Sequence, residues 1–504
     1  MSETPNGFKE TTTKDLSKFF KLERTIHDLS AKPVIAIGIA AMFLSIVWLA
    51  THTLTAGVEN QAFIIAAGVI GGYMALNIGA NDVANNVGPA FGAKSLTMIG
   101  ALVIAAIFET AGAVLAGGDV VQTISKGIID PALIADTETF MMLMMSALLA
   151  AALWINLATF FGAPVSTTHS IVGGVLGAGI AAAGAKVVNW TVMSKIAASW
   201  VISPLLGAIV AAMFLAFIKN RVLYQKDTIA AAKKWVPILV ALMAAVFAAY
   251  LSVKGLKRVW GPEPWMVALI GAGFFSLTFA VVNPLIAKRS EGMDNTKLAI
   301  RNMFHIPLIC AAALLSFAHG ANDVANAVAP LAAIVNAAST GAVSANVEIP
   351  AWVLFVGAAG ITMGLMLFGP KLIRTIGVKI TRMNPMRAFC VSLSAAITVI
   401  IASALGLPVS STHIAVGAVF GVGFLREYHS SKGTHMGGYG KKAPRPPDRP
   451  PSKWDLLPTE EKTRRKKLVR RSYLWSILAA WLITVPLSAL LAAGIFIALK
   501  EFLV

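Results

Sequence analysis

The chain has 504 residues, of which 57% are hydrophobic and only 13% are charged, and its mean hydropathy is +0.74. Because soluble domains carry about 25% charged residues, this composition excludes an ordinary soluble protein and indicates an integral membrane protein. The net charge of +18 does not indicate nucleic-acid binding, since 14 of the lysines and arginines lie between Arg426 and Arg471. Basic loops beside membrane spans mark the cytoplasmic side.

Apolar runs that approach the roughly 20 residues of a membrane-crossing helix recur along the chain, and they lack the alternation of barrel strands. The sequence therefore predicts an all-α, polytopic membrane protein. Residues 1–33 are predicted to be a cytoplasmic tail, either solvated or an interfacial helix. The predicted order that follows is an extra N-terminal helix and loop (34–61), a first transmembrane repeat (62–218), linking helices with basic loops (219–303), a second repeat (304–425), a basic Pro-rich disordered linker (426–472) and a last helix of the second repeat (473–504).

Two motifs occur twice. GANDVANNVGP at 79–89 returns as GANDVANAVAP at 320–330, and GAPVSTTH at 162–169 returns as GLPVSSTH at 406–413. The offsets of 241 and 244 residues are nearly equal and the order is the same, which indicates a duplicated unit. Internal duplication of membrane segments is typical of secondary transporters.

The charges of the loops predict that the two units have opposite orientations. Basic loops at 219–234, 288–301, 371–387 and 426–471 are expected inside, whereas the loop predicted at 319–350 has no lysine or arginine and is expected outside. The first unit then starts outside and ends inside, and the second does the reverse. This inverted repeat places the N-terminus in the cytoplasm and the C-terminus outside, in a plasma (inner) membrane.

Each Pro-Val-Ser motif lies between two apolar arms with almost no loop between them. The arms either both cross the membrane, giving about 13 crossings, or form a re-entrant hairpin, giving about 9. The second arm after His413 is short before Arg426 follows, which favours the hairpin.

Asp82 and Asp323 are the residues that most require a function, because an intramembrane aspartate costs about 2.5 to 3.5 kcal/mol. An unwound Gly-Ala-Asn-Asp segment would offer carboxylate, amide and carbonyl oxygens together, the ligands of a hard cation such as Na⁺. The alternative is that the amides merely cap a broken helix. It applies to four residues: Asn81, Asn85, Asn322 and Asn326.

The second motif supplies hydroxyl and backbone N–H donors just after a proline, which favours an oxyanion site, with an ordinary helix N-cap as the alternative. The donors are Ser166, Thr167, Thr168, Ser410, Ser411 and Thr412. His169 and His413, which end the motifs, either titrate with the substrate or are structural. A nucleophilic Ser-His pair would lack an orienting carboxylate, so we do not expect an enzyme.

An anion beside two carboxylates would be repelled in a low-dielectric site, and the spans contain essentially no lysine or arginine. Co-bound cations would neutralise the site and make symport obligatory. Glu109 has no twin, since its aligned place is near Ile361, and we expect it to be a further cation or proton site rather than a packing residue. Asn156 either lines the same cavity or joins two helices. No cofactor is expected.

These motif pairs, in this order, closely resemble the inorganic phosphate transporter (PiT) family over about residues 62–430 and the final span. The resemblance implies inorganic phosphate as substrate and Na⁺ or H⁺ as driving ion. Carried over by motif, the cation ligands would be Asn81, Asp82, Asn322 and Asp323, while Asn85, Asn326 and the two Ser/Thr runs would hold phosphate.

Glu109 is similar to a glutamate in the Ile-Phe-Glu-Thr motif of sodium-driven members, which favours Na⁺. Ser392 stands where animal members have another glutamate, and the extra N-terminal span also departs from the family pattern. A sulfate permease of the same architecture and a passive anion channel remain the alternatives. The predicted partners are phosphate, the cation and the lipid bilayer, and a homodimer is left open.

Overall fold

The computed structural model describes residues 33–163, 165–255, 261–343, 347–374, 383–431 and 471–503, and within these ranges the regular elements are all helices. Short 3₁₀ or π turns extend or join several of them, and an isolated β-bridge pairs Ile129 with Val188. The α-helices are α1 (Pro33–Leu54), α2 (Gln61–Asn81), α3 (Ala84–Gly92), α4 (Met98–Ala116), α5 (Gly118–Gln122), α6 (Thr137–Phe160), α7 (Thr167–Ala183), α8 (Trp190–Ile218), α9 (Thr228–Tyr250), α10 (Pro264–Arg289), α11 (Lys297–Met303), α12 (His305–Asp323), α13 (Ala325–Thr340), α14 (Ala351–Arg374), α15 (Pro385–Ala404), α16 (Ser411–Ser431) and α17 (Arg471–Leu503).

The described helices include 11 that are long and apolar enough to cross a membrane. Their outward surfaces are apolar as well: Trp265, Leu269 and Leu277 on α10 are all largely exposed. A helix that is apolar on its exposed side as well as its packed side suits a lipid environment. The prediction of an all-helical polytopic membrane protein is confirmed.

The 11 candidates include α6 and α15, the first arms of the two hairpins. The second arm of the first hairpin, α7, has 17 residues, which at about 1.5 Å per residue is shorter than the roughly 30 Å hydrocarbon core. The re-entrant hairpins stay a prediction, as does the number of crossings.

Both repeated Asn-Asp motifs interrupt a long helix. The chain passes from α2 to α3 at Asp82 and Val83, and from α12 to α13 at Val324. The interruption is much shorter than the unwound segment expected from the sequence, because residues 79–81 and 320–323 are helical. The Asp82 carbonyl still accepts a bond from the Asn85 N–H at 2.9 Å. Buried backbone groups that cannot reach water must find such partners.

Val165 and Ser166 of the first Pro-Val-Ser motif lie at the turn between α6 and α7, and Pro408, Val409 and Ser410 of the second lie at the turn between α15 and α16. The turns contain Gly162 at φ 69° and Gly406 at φ 66°, a left-handed conformation that glycine adopts without strain. α16 begins at Ser411, three residues after Pro408. The proline is therefore not at the helix start, as the sequence had suggested, and Ser410 takes the capping position.

The two units are packed across one another, and the contacts are reciprocal. A Cβ at Gly79 would overlap the backbone carbonyl of Ile361, and a Cβ at Gly320 would overlap that of Glu109. These contacts bring α2 against α14 and α12 against α4. Gly177 on α7 meets Ala489 on α17 in the same way that Gly421 on α16 meets Ala208 on α8. Reciprocal contacts of this kind are what a twofold relation produces, and they agree with the alignment of Glu109 with Ile361.

Two predicted boundaries are wrong. The proposed outside loop at 319–350 is mostly helix, since α12 runs to Asp323 and α13 to Thr340. The lack of lysine and arginine was interpreted as the mark of an outside loop, although the segment is apolar and rich in alanine. The predicted linker starts too early, because α16 continues to Ser431. The expected tail at 1–33 lies outside the described residues apart from Pro33, and so does the linker from 432 to 470.

Candidate functional site

The two aspartates lie at the breaks of the long helices, and each accepts a bond from the hairpin of its own unit. Thr167 Oγ1 donates to Asp82 Oδ2 at 2.6 Å, and Ser411 Oγ donates to Asp323 Oδ2 at 2.9 Å. All four side chains are buried. The residues predicted to bind cations and those predicted to bind the anion are therefore in direct contact, and they form one site.

Further bonds cross between the units. Thr412 Oγ1 donates to Asp82 Oδ1 at 2.9 Å and accepts from Asn85 Nδ2 at 2.7 Å. In the equivalent place, Asn326 Nδ2 donates to Thr167 Oγ1 at 3.1 Å and to Thr168 Oγ1 at 3.2 Å. The site is thus assembled from both units, with each hairpin reaching the broken helix of the other.

Asn81 and Asn322 connect the breaks to the hairpin turns. Asn81 Nδ2 donates to Thr159 Oγ1 at 2.8 Å and to the Ala163 carbonyl at 3.3 Å. Asn322 Nδ2 donates to the Val409 carbonyl at 2.8 Å, while its Oδ1 accepts from Ser403 Oγ at 3.3 Å. These bonds join the broken helices to the hairpins rather than capping the breaks, and they hold in place the backbone next to the two aspartates.

Ser166 and Ser410 serve as helix N-caps. Ser166 Oγ accepts from the His169 N–H at 3.1 Å, and Ser410 Oγ accepts from the His413 N–H at 3.3 Å. A capping serine satisfies one of the free N–H groups of the first turn. These two hydroxyls hold the hairpin helices in place, whereas the threonines beside them point their oxygens at the aspartates and asparagines.

Glu109 belongs to a buried chain of polar groups that ends at Asp323. Its Oε1 accepts from Asn86 Nδ2 at 2.7 Å, and its Oε2 lies 2.6 Å from His319 Nδ1. The other ring nitrogen of His319, Nε2, lies 2.7 Å from Asp323 Oδ2. The imidazole thus lies between two carboxylates, and the three titratable side chains form one contiguous buried group.

Sequence reasoning missed His319 because the segment was interpreted as a loop. The available signal was its spacing: His319 precedes Asp323 by four residues, which puts both on one face of a helix. Its equivalent in the first unit is Ile78. The duplication, which repeats the motif residues of the site, therefore gave no support to His319.

Asp82, His319 and Asp323 form a compact group, with one ligand atom of each lying within 4.8 Å of the others. Two carboxylates this close repel each other strongly unless a cation or a proton lies between them. Asn326 Oδ1 is buried and has no hydrogen-bond partner among the described residues, so it offers a further lone pair. Oxygen donors of this kind fit a hard cation.

Four other residues named in the sequence analysis lie elsewhere. The His169 ring packs against Trp200 at 3.9 Å and against the His413 ring at 4.5 Å between centroids, in an aromatic contact between the hairpins. Asn156 does not join the site; its Nδ2 donates to Asn77 Oδ1 at 3.1 Å, so joining helices is its observed role. Ser392 is fully buried, and its hydroxyl has no partner among the described residues.

Comparisons with known proteins bear on this arrangement. The model of the phosphate transporter family matches residues 78–492. A provisionally named phosphate permease of Helicobacter pylori is 45% identical, with 96% of this chain and 98% of the relative covered. A similarly named protein of Pyrococcus furiosus is 40% identical over 71% of this chain and 86% of its own length. A solved structure titled "The sodium-dependent phosphate transporter" is 37% identical, covers 88% of this chain and 100% of its own, and superposes with a TM-score of 0.76.

Proposed function

Because the chain belongs to the phosphate transporter family, we propose that it is a secondary active carrier that imports inorganic phosphate together with Na⁺ across a plasma (inner) membrane. The observation that carries the proposal is the shared site of Asp82, Asp323 and the hairpin hydroxyls, which both units build. Alternating access of the units around this site would expose it to each side in turn.

Charge gives the physical reason for coupling. The partners of Asp82 and Asp323 among the described residues are hydroxyls, an amide and an imidazole. When Asp82 and Asp323 are ionised, an incoming phosphate meets net repulsion in a low-dielectric site. Cations bound at the carboxylates remove that repulsion, so cation and phosphate each raise the affinity for the other.

The donor set supports Na⁺ as the cation. The free Asn326 oxygen and the carboxylates of Asp82 and Asp323 are hard oxygen ligands, and the structural neighbour is titled as sodium-dependent. One observation favours H⁺ as the second candidate: the titratable side chains of Glu109 and His319 lead directly to the carboxylate of Asp323. In both versions Asn81 and Asn322, which were predicted to be cation ligands, hold in place the backbone next to the aspartates. Glu109, predicted to be a further cation site, adds a second carboxylate to the buried group that includes Asp323.

The same acceptor-rich site favours phosphate over sulfate. Near neutral pH inorganic phosphate keeps at least one P–OH group, which can donate to a carboxylate or to Asn326 Oδ1, whereas sulfate has none. The threonine hydroxyls and the Asn85 and Asn326 amides bond to one another, to Asp82 and to the Val409 carbonyl in this structure, and they would have to turn to the phosphate oxygens when the anion binds. With sulfate bound, the acceptor oxygens of the site would have no donor from the anion, so the site would bind sulfate less tightly than phosphate.

The test is uptake of radiolabelled phosphate into proteoliposomes that contain the purified protein. We expect accumulation above equilibrium with an inward Na⁺ gradient and resistance to excess sulfate. Accumulation with an H⁺ gradient alone would replace Na⁺ by H⁺. Equilibration without accumulation would support the passive channel, and competition by sulfate would support the sulfate permease.

A further inference from the structure

A cavity of about 850 Å³ lies between the extra N-terminal helix α1 and helices α2, α6 and α14. Its wall is mostly apolar, with Ile37 and Leu44 on α1 facing Leu367 and Phe368 on α14. Neither aspartate of the transport site lines it. The volume is in the range that accommodates a bound organic molecule, and we call this cavity the α1 cleft.

One end of the α1 cleft is basic. Lys371 and Arg374, in the last turn of α14, both line it and are exposed. An apolar space with two cationic side chains at one end is complementary to an amphiphile with an anionic head. Basic pockets between transmembrane helices bind the headgroups of anionic lipids in this way.

Polar groups also occur part of the way along the apolar wall. Asn156 Nδ2 donates to Asn77 Oδ1 at 3.1 Å, and Asn77 Nδ2 donates to the Tyr73 carbonyl at 2.8 Å. All three residues line the cleft. An asparagine amide has two N–H groups, so Asn156 can give its second one to an ester carbonyl of a lipid.

The α1 cleft adjoins the transport site at Thr159 and at Ala80, which directly precedes Asn81. Thr159 lines the cleft, and its hydroxyl accepts the bond from Asn81 Nδ2 at 2.8 Å. Asn81 immediately precedes Asp82. A molecule bound in the cleft therefore contacts Thr159, whose hydroxyl holds Asn81 next to Asp82.

We propose that the α1 cleft binds an anionic phospholipid, with its phosphate at Lys371 and Arg374 and an acyl chain between α1 and α14. Charge complementarity at the basic end selects this occupant over a neutral lipid. The apolar wall selects it over free phosphate, which would gain nothing from that wall. The proposal concerns α1, which departs from the family pattern, and does not depend on which anion the site carries.

The experiment measures lipid binding to the delipidated full-length protein by native mass spectrometry, with phosphatidylglycerol compared with phosphatidylcholine. We expect a clear preference for phosphatidylglycerol. In the double variant Lys371→Gln, Arg374→Gln we expect the affinity for phosphatidylglycerol to fall about thirtyfold, since each basic side chain near an anionic lipid contributes about a factor of five. The matched control is Lys288→Gln, Arg289→Gln, which removes two basic residues from the last turn of α10 and should leave the affinity unchanged.

A second variant tests the site without changing charge. Ala40→Phe on α1 fills the cleft and should also abolish the preference for phosphatidylglycerol, with thermal unfolding measured to show that the protein remains folded. Three outcomes overturn the proposal: equal binding of the two lipids by the wild type, an equal loss in the α10 control, or displacement of phosphatidylglycerol by millimolar inorganic phosphate. The last would identify the cleft as a vestibule for the free anion.

Discussion

The hydroxyl oxygens of Thr110 and Thr362 lie 3.0 Å apart, and the two residues occupy equivalent positions on α4 and α14. A residue that contacts its own counterpart must lie on the twofold axis that relates two units. His169 and His413 form a second such pair. Both contacts are what the predicted inverted repeat would produce, with Asp82 and Asp323 as another equivalent pair.

Removal of either carboxylate charge should cripple transport. We expect Asp82→Asn and Asp323→Asn each to lower cation-driven phosphate uptake by at least tenfold, because the cation loses a charged ligand while the hydrogen-bonding shape is kept. Asp227→Asn is the control, since Asp227 caps α9 outside the site and asparagine caps equally well. Proteoliposome uptake measures the effect, and wild-type rates in both site variants would refute the cation site.

The hydroxyl of Thr412 should matter more for phosphate affinity than for stability. It bonds to both Asp82 and Asn85, so in Thr412→Ala, alone or with Ser410→Ala, we expect the apparent KM for phosphate to rise about tenfold, equivalent to about 1.4 kcal/mol. Thr398→Ala is the matched control: its buried hydroxyl bonds only to the Ser394 carbonyl in the same helix. A KM that does not differ between the two variants would count against the anion site.

The buried group of Glu109, His319 and Asp323 should determine the Na⁺ concentration that phosphate uptake needs. In Glu109→Gln we expect uptake to need a higher Na⁺ concentration, because a carboxylate next to His319 is replaced by a neutral amide. His319→Gln removes an imidazole that competes with the cation for Asp323, so it should shift the Na⁺ dependence the other way. The Na⁺ concentration for half-maximal uptake is the measurement, and shifts in the same direction would contradict this account.

The close crossing of the units predicts a strong effect at a glycine. A Cβ at Gly320 would overlap backbone atoms of Glu109, whereas one at Gly494 meets nothing within 4 Å. We expect Gly320→Ala to destabilise the protein by about 1 to 3 kcal/mol or more and Gly494→Ala to be near neutral. Thermal unfolding in detergent compares them. Equal melting temperatures would mean that the helices separate more easily than this packing implies.

The sequence predicted the helical membrane fold, which the long apolar helices confirm. The twin motifs identify one another, so they also supplied the candidate site residues, which stay a prediction. The sequence did not predict the bonds inside the site: nothing in it says that Thr167 will donate to Asp82 of its own unit, or that Thr412 of the other unit will donate to the same carboxylate. Those contacts depend on how the helices of the two units pack.

The length of the helix break was also beyond the sequence. The Gly-Ala-Asn-Asp run contains residues that favour turns, and an unwound segment was a reasonable expectation. In the structure the asparagine side chains bond to the hairpins, which leaves the backbone of residues 79–81 helical. Tertiary partners thus decided a local conformation that propensity alone leaves open.

The crossed packing of the units joins two halves that differ in sequence. Gly79 lies against Ile361, and Gly320 lies against Glu109. Glu109 contacts His319, whereas their counterparts Ile361 and Ile78 are both apolar. Because both halves lie in one chain, the protein can carry a titratable pair in one place and an apolar pair in the equivalent place, which a pair of identical chains could not do.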